Sequence, residues 1–144
     1  MRSFLFRLIG ILEIAGGLYG VGAMLRRLWP LGSTLDSLHA LIGLVLFGFV
    51  LAAGILLVDG QERGVRLSGW AQLLQLPLVA TPVFSYALHC GAYLNLYTTA
   101  HLARPWLEGS FGTQGYALAV AGPSVARFGV NLLALLSWLV LKLR

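Results

Sequence analysis

"AVAGPSVARFGVN", residues 119–131, carries a glycine, a proline, an arginine and an asparagine into the apolar C-terminal run. A helix beginning at Gly115 would hold Pro123 in its interior with no N–H to donate, and would carry Arg127 to mid-bilayer. A helix beginning at Pro123 uses the proline at the first helical position, after Gly122, where it is best tolerated. That helix runs to about residue 143, close to the ~20 residues a bilayer requires. The second reading is preferred, and it places Arg127 one turn inside the boundary, where its head can snorkel.

The composition around this stretch sets the class. The chain has 144 residues, 58% hydrophobic and 10% charged, with a mean hydropathy of +0.84. Soluble domains carry about 25% charged residues, and a short soluble chain cannot hide so much apolar surface. An integral membrane protein with one domain, residues 1–144, is implied. The net charge of +5 does not indicate nucleic acid. The arginines stand singly or in pairs at the ends of apolar runs, whereas nucleic-acid footprints cluster on one solvated face. Such placement orients spans and meets anionic lipid. The single cysteine, Cys90, excludes an intrachain disulfide and a CxxC motif.

Four apolar runs read as spans: residues 4–24, 38–58, 67–87 and 123–143. The first has the flank and length of a signal peptide, but Glu13 lies inside it. Four spans place both termini on one side with Arg2, Arg7, Arg63, Arg66, Lys142 and Arg144, against Arg26, Arg27 and Arg104 on the other. The excess places the termini in the cytoplasm of a bacterial-type inner membrane. Trp29, Trp70 and Trp138 fall near span ends, where indole rings prefer to sit. Residues 88–122 remain outside. Within them "AYLNLY" (92–97) and "YALAVA" (116–121) alternate and are rich in tyrosine, leucine and valine, which reads as strand. The expected fold is an all-α, four-transmembrane-helix bundle with a small outer-face β hairpin between helices 3 and 4.

Glu13 is the strongest single signal, because a carboxylate in a span is costly and suggests function. At 100° per residue, Gly10, Gly16, Gly17 and Gly20 share its face, so it faces protein through a surface that lets a helix approach closely. Gly48 and Ala52 form a second small-residue pair. Depth along the spans suggests a polar seam of Glu13, Gln72, Gln75 and Asn131, extended by Arg127. The seam has two readings: a proton or cation site, or polar glue that fixes helix packing. Pro77 and Pro82 bend the third span, as a hinge or as irregular packing.

His39, His89 and His101, with Cys90, fall on the outer face in this topology. They are metal-ligand types, but no HxxxH or HExxH spacing occurs, and ordinary interfacial histidines are the simpler reading. No GxSxG is present, and "GGLYGVG" lacks the GK[ST] of a phosphate loop. Three functions follow. The first is a non-enzymatic subunit, a homo-oligomer or an accessory chain of a partner membrane protein, with no cofactor. The second is a small homo-oligomeric channel or transporter using Glu13. The third is an outer-face metal or enzyme site.

Overall fold

Uninterrupted apolar sequence makes the first two elements long. In the structure, a computed structural model that describes residues 2–29, 33–99, 106–119 and 126–143, α1 spans Arg2–Leu28 and α2 spans Thr34–Val58. Ser33 caps α2 by accepting from the Asp36 N–H, while its hydroxyl donates to the Asp36 carboxylate. The two helices form an antiparallel hairpin set by glycine. A methyl at Gly17 would sit 2.8 Å from Leu51 Cβ, one at Gly10 would sit 3.0 Å from the Gly54 carbonyl oxygen, and one at Gly20 would enter the Phe47 ring. Phe47, Val50 and Ala53 form the core of the upper hairpin with Met24, Ala71, Leu88 and Cys90. At about 1.5 Å per residue both helices exceed the ~30 Å apolar thickness of a bilayer. Among the described residues these are the two helices long and apolar enough to cross a membrane.

The expectation of four spans is overturned in the second half of the chain. After the turn at Asp59–Gln61, α3 covers Glu62–Gln75 and stops where Pro77 has no N–H to continue the ladder. The last helix, α4, covers Leu132–Lys142. Helices of 14 and 11 residues rise about 21 and 16 Å, too little to cross. Neither Gly115 nor Pro123 opens the last helix. Asn131 does, its side-chain oxygen accepting from the N–H groups of Leu133 and Ala134. Gly122 and Pro123 lie outside the described residues.

Between α3 and α4 the chain forms a four-stranded antiparallel sheet in the order β1-β4-β2-β3. The strands are β1 (Pro77–Ala80), β2 (Ser85–Thr99), β3 (Trp106–Ala119) and β4 (Arg127–Asn131). The expected hairpin is therefore a larger sheet, and its two sequence runs do not face each other. Tyr93 and Tyr97 pair with Ser110 and Trp106, while Tyr116 and Ala119 pair with Leu88 and Ser85.

β1 pairs with the start of β2 and with β4, and β4 pairs in turn with the end of β2. Both contacts require β2 to bend sharply between its ends. The register shifts between Gly91 and Tyr93, and Gly91 has φ +86°, a conformation open to glycine and costly for other residues. The result is a small ring of strands beside α1. The start of α3 and the end of α4 pack near the foot of the hairpin, where Ile9, Leu57 and Leu141 meet.

Candidate functional site

Glu13 sits halfway along α1 and turns toward α3. Ser68 and Gln72 are four residues apart on α3 and so share one face. Ser68 Oγ donates to Glu13 Oε2 at 2.6 Å, and Gln72 Nε2 donates to Glu13 Oε1 at 2.8 Å. Glu13 is 1% exposed and Ser68 is fully buried. Each carboxylate oxygen thus has a fixed donor, as a buried carboxylate requires. Small residues make room for the node. A methyl at Gly54 would lie 2.8 Å from Glu13 Cβ, and one at Gly64 would overlap the Leu56–Leu57 backbone. Glu13 lines neither the cleft between α3 and α4 nor the pocket inside the strand ring.

The expected seam therefore divides. Gln75 bonds elsewhere, its Oε1 accepting from the Cys90 N–H at 3.1 Å and its Nε2 donating to the Ala71 carbonyl. Asn131 caps α4 and also accepts from the Leu94 N–H. Arg127 is exposed on β4, at the rim of a pocket of about 200 Å³ inside the strand ring, with Tyr86 and Tyr97 in its walls. It is no partner of Glu13. Ser68 is absent from the expected seam, although it stands one helical turn before Gln72 on the same face.

Among the packing residues, Gly10, Gly16, Gly17 and Gly20 all lie at close contacts. Gly16 meets β2 and not α2, where a methyl would overlap the backbone of Cys90 and Gly91. Gly48 faces open space and Ala52 is exposed, so the α2 contact runs through Ala53 and Gly54.

The metal candidates are dispersed. His39 lies 3.4 Å from Arg27, at the loop end of the hairpin. His89, in β2, stacks on Tyr93 with ring centroids 4.5 Å apart, and one ring nitrogen lies 3.4 Å from Asn95 Nδ2. Burial holds its pKa below the usual histidine value. Cys90 points the other way, toward α1, with Sγ 3.9 Å from the Glu13 carbonyl oxygen. The thiol is free and buried, and a cysteine buried in apolar surroundings is inert as nucleophile and ligand. His101 lies outside the described residues. Among the described residues no three His, Cys, Asp or Glu side chains come together to hold a metal.

Comparison with protein-family models, with curated proteins and with solved structures finds no match.

Proposed function

We propose that this chain is a non-enzymatic membrane protein that acts as an oligomerising or accessory subunit of a membrane complex. The observation that carries this reading is the outer surface of the hairpin. Phe4, Leu8, Ile11, Leu18, Tyr19 and Leu25 stand exposed along α1, and Leu35, Leu38, Leu41, Ile42, Val45 and Ile55 along α2. These rows run nearly the full length of both helices. In water they would form a contiguous apolar patch far larger than monomers tolerate, whereas in lipid they are matched. The one carboxylate of α1 is turned inward and bonded, which supports glue over conduction.

The sheet supports the need for a partner. It packs against α1 around Leu12–Gly16, so a spanning hairpin brings it to bilayer depth. Non-helical backbone is tolerated there only when protein covers it. The strand ring closes the edges of β1 and β4 on themselves. The outer edge of β3 has no partner strand among the described residues, and an open edge is a template for another chain. The foot of the hairpin carries Arg7, Arg63, Arg66 and Lys142, and the loop end carries Arg26 and Arg27. This bias supports a cytoplasmic foot and cytoplasmic termini.

The test is the mass of the complex extracted with native lipid. A fixed assembly larger than one 15.5 kDa chain is expected. A monomer overturns the proposal. Ion flux in liposomes holding this chain alone, abolished by Glu13→Gln, would replace it with a channel.

A further inference from the structure

A groove of about 390 Å³ runs between α3 and α4, and its base at Leu141 rests on Ile9 and Leu57 at the foot of the hairpin. Its floor and walls are Gly69, Trp70, Trp138 and Leu141, and its two charged lining residues are Arg66 and Lys142. No acidic side chain lines it among the described residues. Lys142 Nζ sits 4.7 Å from the centre of the Trp138 ring, a cation–π distance. Gly69 opens the floor: a methyl there would meet nothing within 4 Å.

Each feature has a physical reading. The volume lies in the range of small-molecule sites. Two indoles with two cations at one level are what membrane–water interfaces collect. Basic clefts between membrane helices on the cytoplasmic side accept anionic head groups. Arg66 enters one helical turn after the α2–α3 turn, and Lys142 ends α4, so both cations lie toward the foot of the hairpin. The apolar wall of Trp70, Trp138 and Leu141 runs from them along α3 and α4. A ligand that fits has an anionic phosphate at one end and hydrocarbon at the other.

We infer that the α3–α4 groove binds an anionic phospholipid, its phosphate between Arg66 and Lys142 and its upper acyl chain against Trp70 and Trp138. The inference rests on the membrane reading above. It goes further by giving the chain a preference among lipids. Free phosphate has the same charge but no use for the apolar wall, and a second copy of the chain would bring its own surface into the groove.

The test uses the full chain in vesicles, with Trp29→Phe and Trp106→Phe so that emission comes from Trp70 and Trp138. Acyl-brominated phosphatidylglycerol and acyl-brominated phosphatidylcholine are the probes, since bromine quenches indoles it touches. Brominated phosphatidylglycerol is expected to quench at lower mole fraction, by about five-fold for each cation. The preference is expected to vanish in the Arg66→Gln, Lys142→Gln double variant. Gly69→Leu, whose Cβ meets nothing within 4 Å, projects its side chain into the groove and is expected to lower quenching by both lipids. Equal quenching by the two lipids in the parent chain overturns the inference, as does a preference that survives the double variant. Loss of the preference on adding inorganic phosphate overturns it in favour of a free-anion site. Quenching that appears only when protein is diluted in lipid gives the groove to a second copy, and also overturns it. If the chain floats with vesicles of neither lipid, the membrane reading itself fails, and that outcome is separate from a chain that floats without lipid preference.

Discussion

Residues 2–58 and residues 62–143 both carry long apolar runs, yet the first part is two full-length helices and the second is two short helices around a sheet. Hydropathy alone does not separate them. The difference lies in where helix breakers fall. In the hairpin, Gly10, Gly17 and Gly20 stand one and two turns apart on one face of α1, where each accommodates a residue of α2 and leaves the helix ladder intact. The second part has Pro77 at the end of α3, Pro82 in the β1–β2 turn, Gly91 at the bend of β2 and Asn131 as a cap. Each ends a helix or supplies a backbone group that a sheet can use. Apolar length therefore permits a helix long enough to cross a bilayer, and breaker placement decides whether such a helix forms.

The sharpest way to break that comparison is at Gly16, where the two parts touch. A side chain there would overlap the backbone of Cys90 and Gly91, and backbone cannot swing aside as a flexible side chain can. Gly16→Leu is expected to undock the sheet from α1, at a cost above about 3 kcal/mol, beyond ordinary overpacking. Loss of the folded peak in size-exclusion chromatography after mild heating is the readout. A variant as stable as the parent would mean the sheet does not rest on α1 as described.

Next in size is the node that ties α3 to the hairpin. Glu13→Ala leaves Ser68 and Gln72 without their acceptor in a dry site, for a loss of about 2–4 kcal/mol. Glu13→Gln keeps one carbonyl oxygen and the side-chain volume, and is expected to cost about 1 kcal/mol. Stepwise unfolding in denaturing detergent measures both. Equal losses would show that charge, and not hydrogen bonding, holds the node.

How far the sequence speaks follows from the same contrast. The hairpin is legible because periodicity, length and small-residue spacing agree from residue 4 to residue 58. Depth along the spans sets Gln75 level with Glu13, and Gln72 enters the expected seam as a neighbour on the same helix face; the structure brings Gln72 to Glu13. Gln75 shares that helix face, yet the Cys90 N–H takes its oxygen. That contact depends on a strand 15 residues away and leaves no local trace. The sheet is half legible. Alternation marks 92–97 and 116–121, but the closure of β1, β4 and a bent β2 is a long-range pairing. "RFGVN" is too short to distinguish a strand from the first turn of a helix. Asn131 is a cap residue by type, and reading it as one would have started α4 at the right place.

A smaller effect belongs to the sheet alone. His89 has its pKa lowered by burial, so below pH 7 the unfolded chain takes up a proton at this position that the folded chain declines. Stability then rises with pH through this window. It is present in full above the unfolded value near 6.5 and is lost as pH falls toward the folded value. This position is expected to lower the melting temperature between pH 7.5 and 5.5, and His89→Phe, which keeps a ring against Tyr93, is expected to remove that contribution to the pH slope. The effect should be weaker than that of Glu13→Ala, because His89 is only half-buried. An unchanged pH slope in the variant would assign the drop to another group.

The smallest effect sharpens the comparison inside the hairpin itself. Gly48 and Gly54 lie on the same helix, both within apolar sequence, and it is Gly48, with Ala52, that has the small-residue spacing that marks helix contact. Only Gly54 is used: a methyl there would lie 2.8 Å from Glu13 Cβ and from the Gly10 carbonyl oxygen, whereas one at Gly48 meets nothing within 4 Å. Glycine inside a helix is less favourable than alanine by about 0.8–1 kcal/mol. In a lone chain, Gly48→Ala is therefore expected to be neutral or stabilising by up to about 1 kcal/mol, and Gly54→Ala to be destabilising. The same pair also probes the assembly. If Gly48→Ala leaves the single chain intact but lowers the mass of the complex extracted with native lipid, then Gly48 packs against another chain, and that face of α2 is where the partner sits. If the mass is unchanged, the α2 face at Gly48 contacts lipid, and the open edge of β3 is the surface to probe next.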